Sequence, residues 1–314
     1  MKMISGPIVR PLVMFALPIA ATSILQQLFN STDVAVVGKY AGPNALAAVG
    51  ANAPVINLLI NLFVGLSIGS NVVIAHLIGQ NDIGEIKKAV HTSISLAFIS
   101  GVLLTFIGQI AARPIVVALS TPPEIVDEAI LYLRIFFCGM PFLMLYNFTS
   151  AIMRSYGDTK RPLIVLTISG FINVLLNLLF VVGFGMSVDG VAIATVVATG
   201  FSAISLLVML MRSSAPIHVS LRSLILDGRM VRRIASIGLP AGMQGVVFSF
   251  SNVLIQNAIN SLGAKAMAGA TTALNFEYYT YFLANAFGQA ATTFIGQNYG
   301  AGQIDRCRKI IKTC

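Results

Sequence analysis

Charge is what this sequence has least of. Asp, Glu, Lys and Arg make up 10% of its 314 residues, whereas a soluble domain carries about 25%. Apolar residues fill the gap at 56%, in runs too long for the helices of a water-soluble core, and this points to an all-α integral membrane protein. Cysteine is scarce too. Cys138 stands inside an apolar run, Cys307 and Cys314 at the basic C-terminal end, and no spacing suggests pairing or a metal, so inert thiols are expected. There is no glycine-rich phosphate loop, which leaves ATP drive unsupported. Nor is there a Ser/His/Asp or metal-ligand constellation, so neither an enzyme nor a cofactor is expected. A cleaved leader is not expected either, because the first apolar run is too long, contains Pro18 and polar side chains, and lacks a small-residue cleavage site.

What charge there is has a pattern. The net charge of +9 invites a nucleic-acid reading, but the basic residues are confined to short segments between apolar runs, as in a membrane protein. No nucleic-acid partner is expected. Eight apolar segments can be drawn, at 12–37, 45–78, 92–119, 125–153, 162–184, 188–211, 234–260 and 266–296, with the start of a ninth at Lys309 left as an expectation. Those longer than about 25 residues imply tilt, and Pro18, Pro54, Pro141 and Pro240 are candidate kinks. One side of this arrangement receives 16 basic residues, among them Lys2, Arg10, Lys87, Lys88, Arg154, Arg161 and Arg212; the other receives Lys39, Arg113, Arg134 and Lys265. That asymmetry puts the N-terminus in the cytoplasm of a multi-pass protein in the cell membrane. Residues 1–212 then form a lobe of six spans, 213–232 a cytoplasmic linker containing His218, and 233–314 the start of a second lobe.

The two lobes read as copies in the same order. Leu17-Pro18 recurs as Leu239-Pro240, and Gly42, Ala45, Ala47 as Gly263, Ala266, Ala268. Ile78-Gly79-Gln80-Asn81 recurs as Ile295-Gly296-Gln297-Asn298, each followed by a Gly-(Glu/Gln)-Ile triplet at Gly84 and Gly302. The offsets of 222, 221, 217 and 218 keep one register. Six spans separate the copies, so the repeat is parallel, with a pseudo-twofold axis along the membrane normal. The second copy stops as its third helix begins. Completion to symmetry implies twelve helices in roughly 440 residues, and the sequence is expected to be a fragment or truncated product whose seventh and eighth helices lack partners.

Within the apolar runs a few polar residues stand out. Thr22, Gln26, Asn30 and Asp33 fall in one narrow stripe of the first segment. Polar groups inside a bilayer usually face a bundle interior or a wet cavity, so Asp33 is expected to titrate or bind a cation there; the alternative is a place at the outer mouth. Ser169, Asn173 and Asn177 recur every four residues in the fifth segment, a stripe able to face the first or simply to bind neighbouring helices. Glu277, Tyr281 and Asn285 repeat the spacing in the eighth, and Gln244, Asn252 and Gln256 lie at multiples of four in the seventh. The aromatics Tyr146, Phe276, Tyr278, Tyr279 and Phe282 could stack on an organic cation or pack against lipid. His76 and His91 read as interfacial.

In these residues the chain resembles the multidrug and toxic compound extrusion family. The resemblance rests on Asn30-Ser-Thr-Asp33 followed by Gly38, Gly79-Gln80-Asn81, Arg154-Ser-Tyr-Gly157-Asp158-Thr-Lys160-Arg161-Pro162, Asn173-Val-Leu-Leu-Asn177, and Val188-Asp-Gly190-Val-Ala-Ile-Ala-Thr195. It implies two six-helix lobes around a central cleft and export of small amphipathic or cationic organic molecules in exchange for H⁺ or Na⁺, by a monomer. It also implies a cation or proton site at Asp33, Asn30, Asn173 and Asn177. Asn177 stands where one branch has a second aspartate, and Phe248 where another has a glutamate; Glu277 looks like a glutamate of some bacterial members. Gln26, Gln244, Asn252, Glu277, Tyr281 and Asn285 are then candidates for the substrate cleft. Two other readings stay open: a lipid-linked sugar flippase of related architecture, which would need several basic residues in the cleft, and a non-transporting remnant.

Overall fold

A computed structural model describes residues 3–119, 121–261 and 264–314. Pro54, Gln256, Lys265, Ala266, Ala268 and Phe276 lie outside the residues whose side chains are described. Among the described residues there is no strand. The chain runs as α1 (Val9–Val36), α2 (Pro43–Gln80), α3 (Ile83–Ala118), α4 (Val126–Cys138), α5 (Met140–Tyr156), α6 (Lys160–Asn177), α7 (Val188–Met211), α8 (Gly228–Ser261), α9 (Ala264–Gly300) and α10 (Ile304–Thr313). Six of the described helices are long and apolar enough to cross a membrane, and α4 with α5 can make a seventh span bent by 45°.

That bend is at Gly139, one residue before Met140-Pro141. Proline is accommodated in the first turn of a helix, where its missing N–H would have had no partner, and the fourth apolar segment therefore becomes two helices. Pro18 and Pro240 instead sit inside unbroken helices. Two further irregularities frame the site. α1 continues into a π-helical turn at Val37–Ala41, and α6 into another at Leu178–Gly183; the two turns touch. Widened turns of this kind often accompany functional sites.

Among the described residues the core has three parts. One gathers α2, α3, α5 and α7 at the basic end, and includes Ile74, Ile94, Phe148 and Leu206. A second lies towards the other end, around Leu104, Leu133, Phe137 and Val191. The third joins the chain's two ends: Leu12, Phe15 and Ile19 of α1 pack on Ala290 and Phe294 of α9 and Ile310 of α10, with the Phe15 and Phe294 rings edge to face at 5.6 Å.

This third part corrects the expectation that the seventh and eighth helices lack partners. α8 lies along α2, and α9 crosses α1 and α2. Gly65 and Gly69 of α2 face Gly238 and Gly242 of α8 so closely that backbone meets backbone, the small-residue seam by which membrane helices associate when no hydrophobic drive separates them from lipid. Polar bonds add to it. Asn61 Nδ2 donates to Ser249 Oγ at 3.0 Å, Thr293 Oγ1 to Asn71 Oδ1 at 3.0 Å, and Gln297 Nε2 to the Ser155 carbonyl at 2.6 Å.

The linker is shorter than its expected span of 213–232, because α8 begins at Gly228 with Asp227 accepting from Met230 N as its N-cap. It is also pinned. His91 is buried: its Nδ1 lies 2.7 Å from the Lys87 carbonyl, and its Nε2 accepts from Ser220 N at 3.1 Å. His218 lies exposed, against the Ser213 carbonyl. Arg229 reaches Glu85 at 2.7 Å in an ion pair whose arginine is 63% exposed. Arg229→Ala is therefore expected to cost about 1 kcal/mol or less, and less still at high salt; a thermal-unfolding shift of many degrees would contradict this.

The repeat is not structurally uniform. Asn81 leaves α2 in the left-handed conformation (φ 58°), yet the matching Asn298 is still inside α9, and the left-handed position falls at Gly302 (φ 74°). Asn298 instead donates to the Met3 carbonyl at 3.2 Å and Arg306 to the Gly6 carbonyl at 2.9 Å, fastening the N-terminal segment to the α9–α10 turn. Of the cysteines, Cys138 and Cys314 are exposed and Cys307 is buried, and burial pushes the Cys307 thiol above the ordinary range.

Candidate functional site

Three helices bring one acid and its partners together. Asp33 is half-buried near the end of α1, one turn before the π-helical segment. From α6, Asn177 Nδ2 donates to Asp33 Oδ1 and, at 3.3 Å, to Asn173 Oδ1. From α7, Thr195 Oγ1 lies 3.5 Å from Asp33 Oδ2, and Asn173 Nδ2 is 3.4 Å from the same hydroxyl. Asn173 and Asn177 are buried, and Tyr132 of α4 is buried within electrostatic reach of Asp33. The group has one formal negative charge and several oxygens, and Asn177 Oδ1, fully buried, accepts no hydrogen bond. A buried carbonyl oxygen without a partner normally costs 1 to 3 kcal/mol, roughly. Two species could satisfy it: a metal cation shared with the carboxylate, or a proton on Asp33 that is donated to it.

Thr195 is the residue that sequence reasoning missed. It sits in an apolar helix, and its hydroxyl also donates to the Val191 carbonyl one turn back at 2.9 Å, the ordinary behaviour of an intramembrane threonine. Asn30, by contrast, is exposed on α1 and makes no hydrogen bond to the group. Ser169 does not face α1 either: its hydroxyl donates to the Ala198 carbonyl of α7 at 2.6 Å.

A second feature lies nearer the basic end, where α1, α2, α5 and α9 meet. A cavity of about 140 Å³ is lined by Gln26, Ser67, Tyr146, Asn147, Arg154 and Gln289. From Gln289 a chain of polar side chains climbs one face of α9: Gln289 Nε2 donates to Asn285 Oδ1 at 2.8 Å, and Asn285 Nδ2 to Tyr281 Oη at 3.3 Å. The Tyr281 ring stacks on Phe248 of α8 at 5.4 Å. Of the candidate cleft residues, Gln26, Asn285 and Tyr281 thus belong to one continuous surface between the halves. Gln244, Asn252 and Glu277 are exposed on α8 and α9 and make no hydrogen bond to that surface among the described residues. Tyr278 and Tyr279 are exposed, and Tyr146 is buried at the cavity wall. His76 sits against Tyr299. Among the described residues no group of His, Cys, Asp and Glu could hold a metal by itself.

Comparison with known proteins agrees with this architecture. The MatE family model matches residues 18–179 and 240–314. "Probable multidrug resistance protein YoeA" of Bacillus subtilis is 29% identical over 96% of this chain and 67% of its own length. The "FAD transporter" of Shewanella oneidensis is 26% identical over 98% of this chain and 69% of its own length. Among solved structures, "Outward-facing conformation of a multidrug resistance MATE family transporter of the MOP superfamily" matches with a TM-score of 0.92 at 23% identity, covering 99% of this chain and 69% of that one. At that identity the likeness establishes the fold. The chain spans about two thirds of the length of the curated relatives it matches.

Proposed function

We propose, starting from the fact that this chain belongs to the MatE family of multidrug efflux transporters, that it takes part in secondary active antiport, with Asp33 as the residue that binds the coupling ion. Members of the family are transporters and not enzymes, and the chain is a multi-pass membrane protein. The observation that carries the reading is the buried, partnerless Asn177 Oδ1 beside the Asp33 carboxylate. A buried charge is tolerated in the membrane interior where it has work to do, and here both Na⁺ and H⁺ would supply the missing partner. Na⁺ would draw oxygens from Asp33, Asn177, Asn173 and Thr195; a proton would sit between Asp33 and Asn177.

The contacts between the halves fit alternating access. They include Thr293 to Asn71, Gln297 to Ser155 and Asn298 to Met3 at the basic end, and the α2–α8 seam with its Asn61–Ser249 bond farther along. In such a cycle the cleft opens to the two sides of the membrane in turn. Ion binding at Asp33 then biases the equilibrium between the two states, and a small amphipathic or cationic organic molecule biases it back. The protein is expected to work as a monomer in the cell membrane. Reconstitution into proteoliposomes loaded with rhodamine 6G tests the reading. An imposed Na⁺ or pH gradient should drive dye movement against its own gradient, and one ion should suffice. Dye movement indifferent to both gradients would overturn it.

A further inference from the structure

The cavity between the halves contains a cation and no acid. Arg154 stands in the last turn of α5, half-buried, and lines the cavity. Its guanidinium makes no ion pair and no hydrogen bond among the described residues. The usual partners are taken. The carbonyls of Met153 and Arg154 at the helix end are already satisfied by Asp158 N at 3.0 Å and Gly157 N at 2.9 Å. The nearest acid in sequence, Asp158, turns to Arg161 at 3.2 Å and caps α6 through Lys160 N and Arg161 N. An arginine stays charged under all physiological conditions, so a half-buried guanidinium without a protein partner leaves its donors free for an anion or for water.

What surrounds it suits an anion. None of the cavity's lining residues is acidic, and the amide of Gln26 has no hydrogen bond of its own among the described residues. The planar, forked guanidinium matches carboxylate and phosphate oxygens in pairs. The cavity, about 140 Å³, has room for a molecule's carboxylate or phosphate group. The rest of such a molecule would extend along Gln289, Asn285 and Tyr281, where the Phe248–Tyr281 pair offers a flat apolar face.

We propose that this cavity is a subsite for the anionic group of an amphipathic substrate, held by Arg154 with Gln26, so that the molecules carried include organic anions or zwitterions bearing a carboxylate or phosphate. The proposal rests on the transport reading for its biological meaning but is tested by binding alone. The full 314-residue chain in lipid nanodiscs is titrated into fluorescein, a carboxylate dye that is anionic at mildly alkaline pH, and into the cationic dye rhodamine 6G, with fluorescence polarisation as the readout. Fluorescein should bind, and Arg154→Gln should weaken it by about tenfold or more, a loss of about 1.4 kcal/mol or more, while rhodamine 6G affinity stays within about twofold. Arg154→Lys, which keeps the charge and loses the fork, should fall between. The parent chain supplies a check that needs no variant: excess benzoate should displace fluorescein and excess benzylamine should not. Absence of fluorescein binding, equal binding by parent and Arg154→Gln, or displacement by benzylamine as readily as by benzoate would each overturn the proposal. Arg154-dependent binding without any gradient-driven flux would overturn antiport and leave the subsite standing.

Discussion

Asp33→Asn should abolish gradient-driven flux, by more than about tenfold, in a protein that remains folded and as heat-stable as its parent or slightly more so. The reasoning weighs two terms. The substitution replaces a charge-assisted hydrogen bond from Asn177 by a neutral one, at a cost of roughly 1 to 2 kcal/mol. It also removes a charge from a poorly solvated position among Asn173, Asn177 and Thr195, which returns a comparable amount. Stability therefore changes little, while the carboxylate that would hold a proton or Na⁺ is gone. Thr195→Val should act more weakly, because its hydroxyl is 3.5 Å from the carboxylate and has the Val191 carbonyl as a second partner. The measurement is ion-coupled dye movement in proteoliposomes beside a thermal-unfolding curve for each variant. Asp33→Asn with parental coupling would remove Asp33 from the mechanism.

How much of this was legible in the sequence depends on what each residue needed. Helical periodicity put Asp33 and the fifth-segment asparagines on polar stripes that must meet something polar, but left their partners open; it was the family resemblance that implied one shared site. Thr195 left no such signal, because a threonine can satisfy its hydroxyl within its own helix. Arg154 was counted among the cytoplasmic charges: the run of sequence around it says that a helix ends there, but not that α5, after its break at Gly139, ends beneath a cavity. The contacts of α8 and α9 were hidden for a different reason. Gly65, Gly69, Gly238 and Gly242 look like any small residues in apolar runs, and only the crossing of two helices shows that their lack of side chains is used.

That use leads to the other large effect. A Cβ at Gly65 would overlap backbone atoms of both Gly238 and Gly242, and one at Gly242 would overlap the Leu62 backbone. Neighbouring backbone cannot swing aside as the end of a side chain can, so Gly65→Leu has to push α8 off α2. Overpacking costs about 1 to 3 kcal/mol when side chains can adjust; here the cost should reach or exceed the upper figure and also sacrifice the Asn61–Ser249 hydrogen bond farther along the same seam. Gly288 of α9 is the contrast. A Cβ there meets nothing within 4 Å, so Gly288→Ala should gain helix propensity, up to about 1 kcal/mol, without a clash. Thermal unfolding in detergent should thus move in opposite directions for the two variants. Cross-linking gives a local readout: cysteines placed at Asn61 and Ser249 should join readily in the parent and poorly beside Gly65→Leu. Equal cross-linking in both backgrounds would mean that the seam does not hold α8 in place.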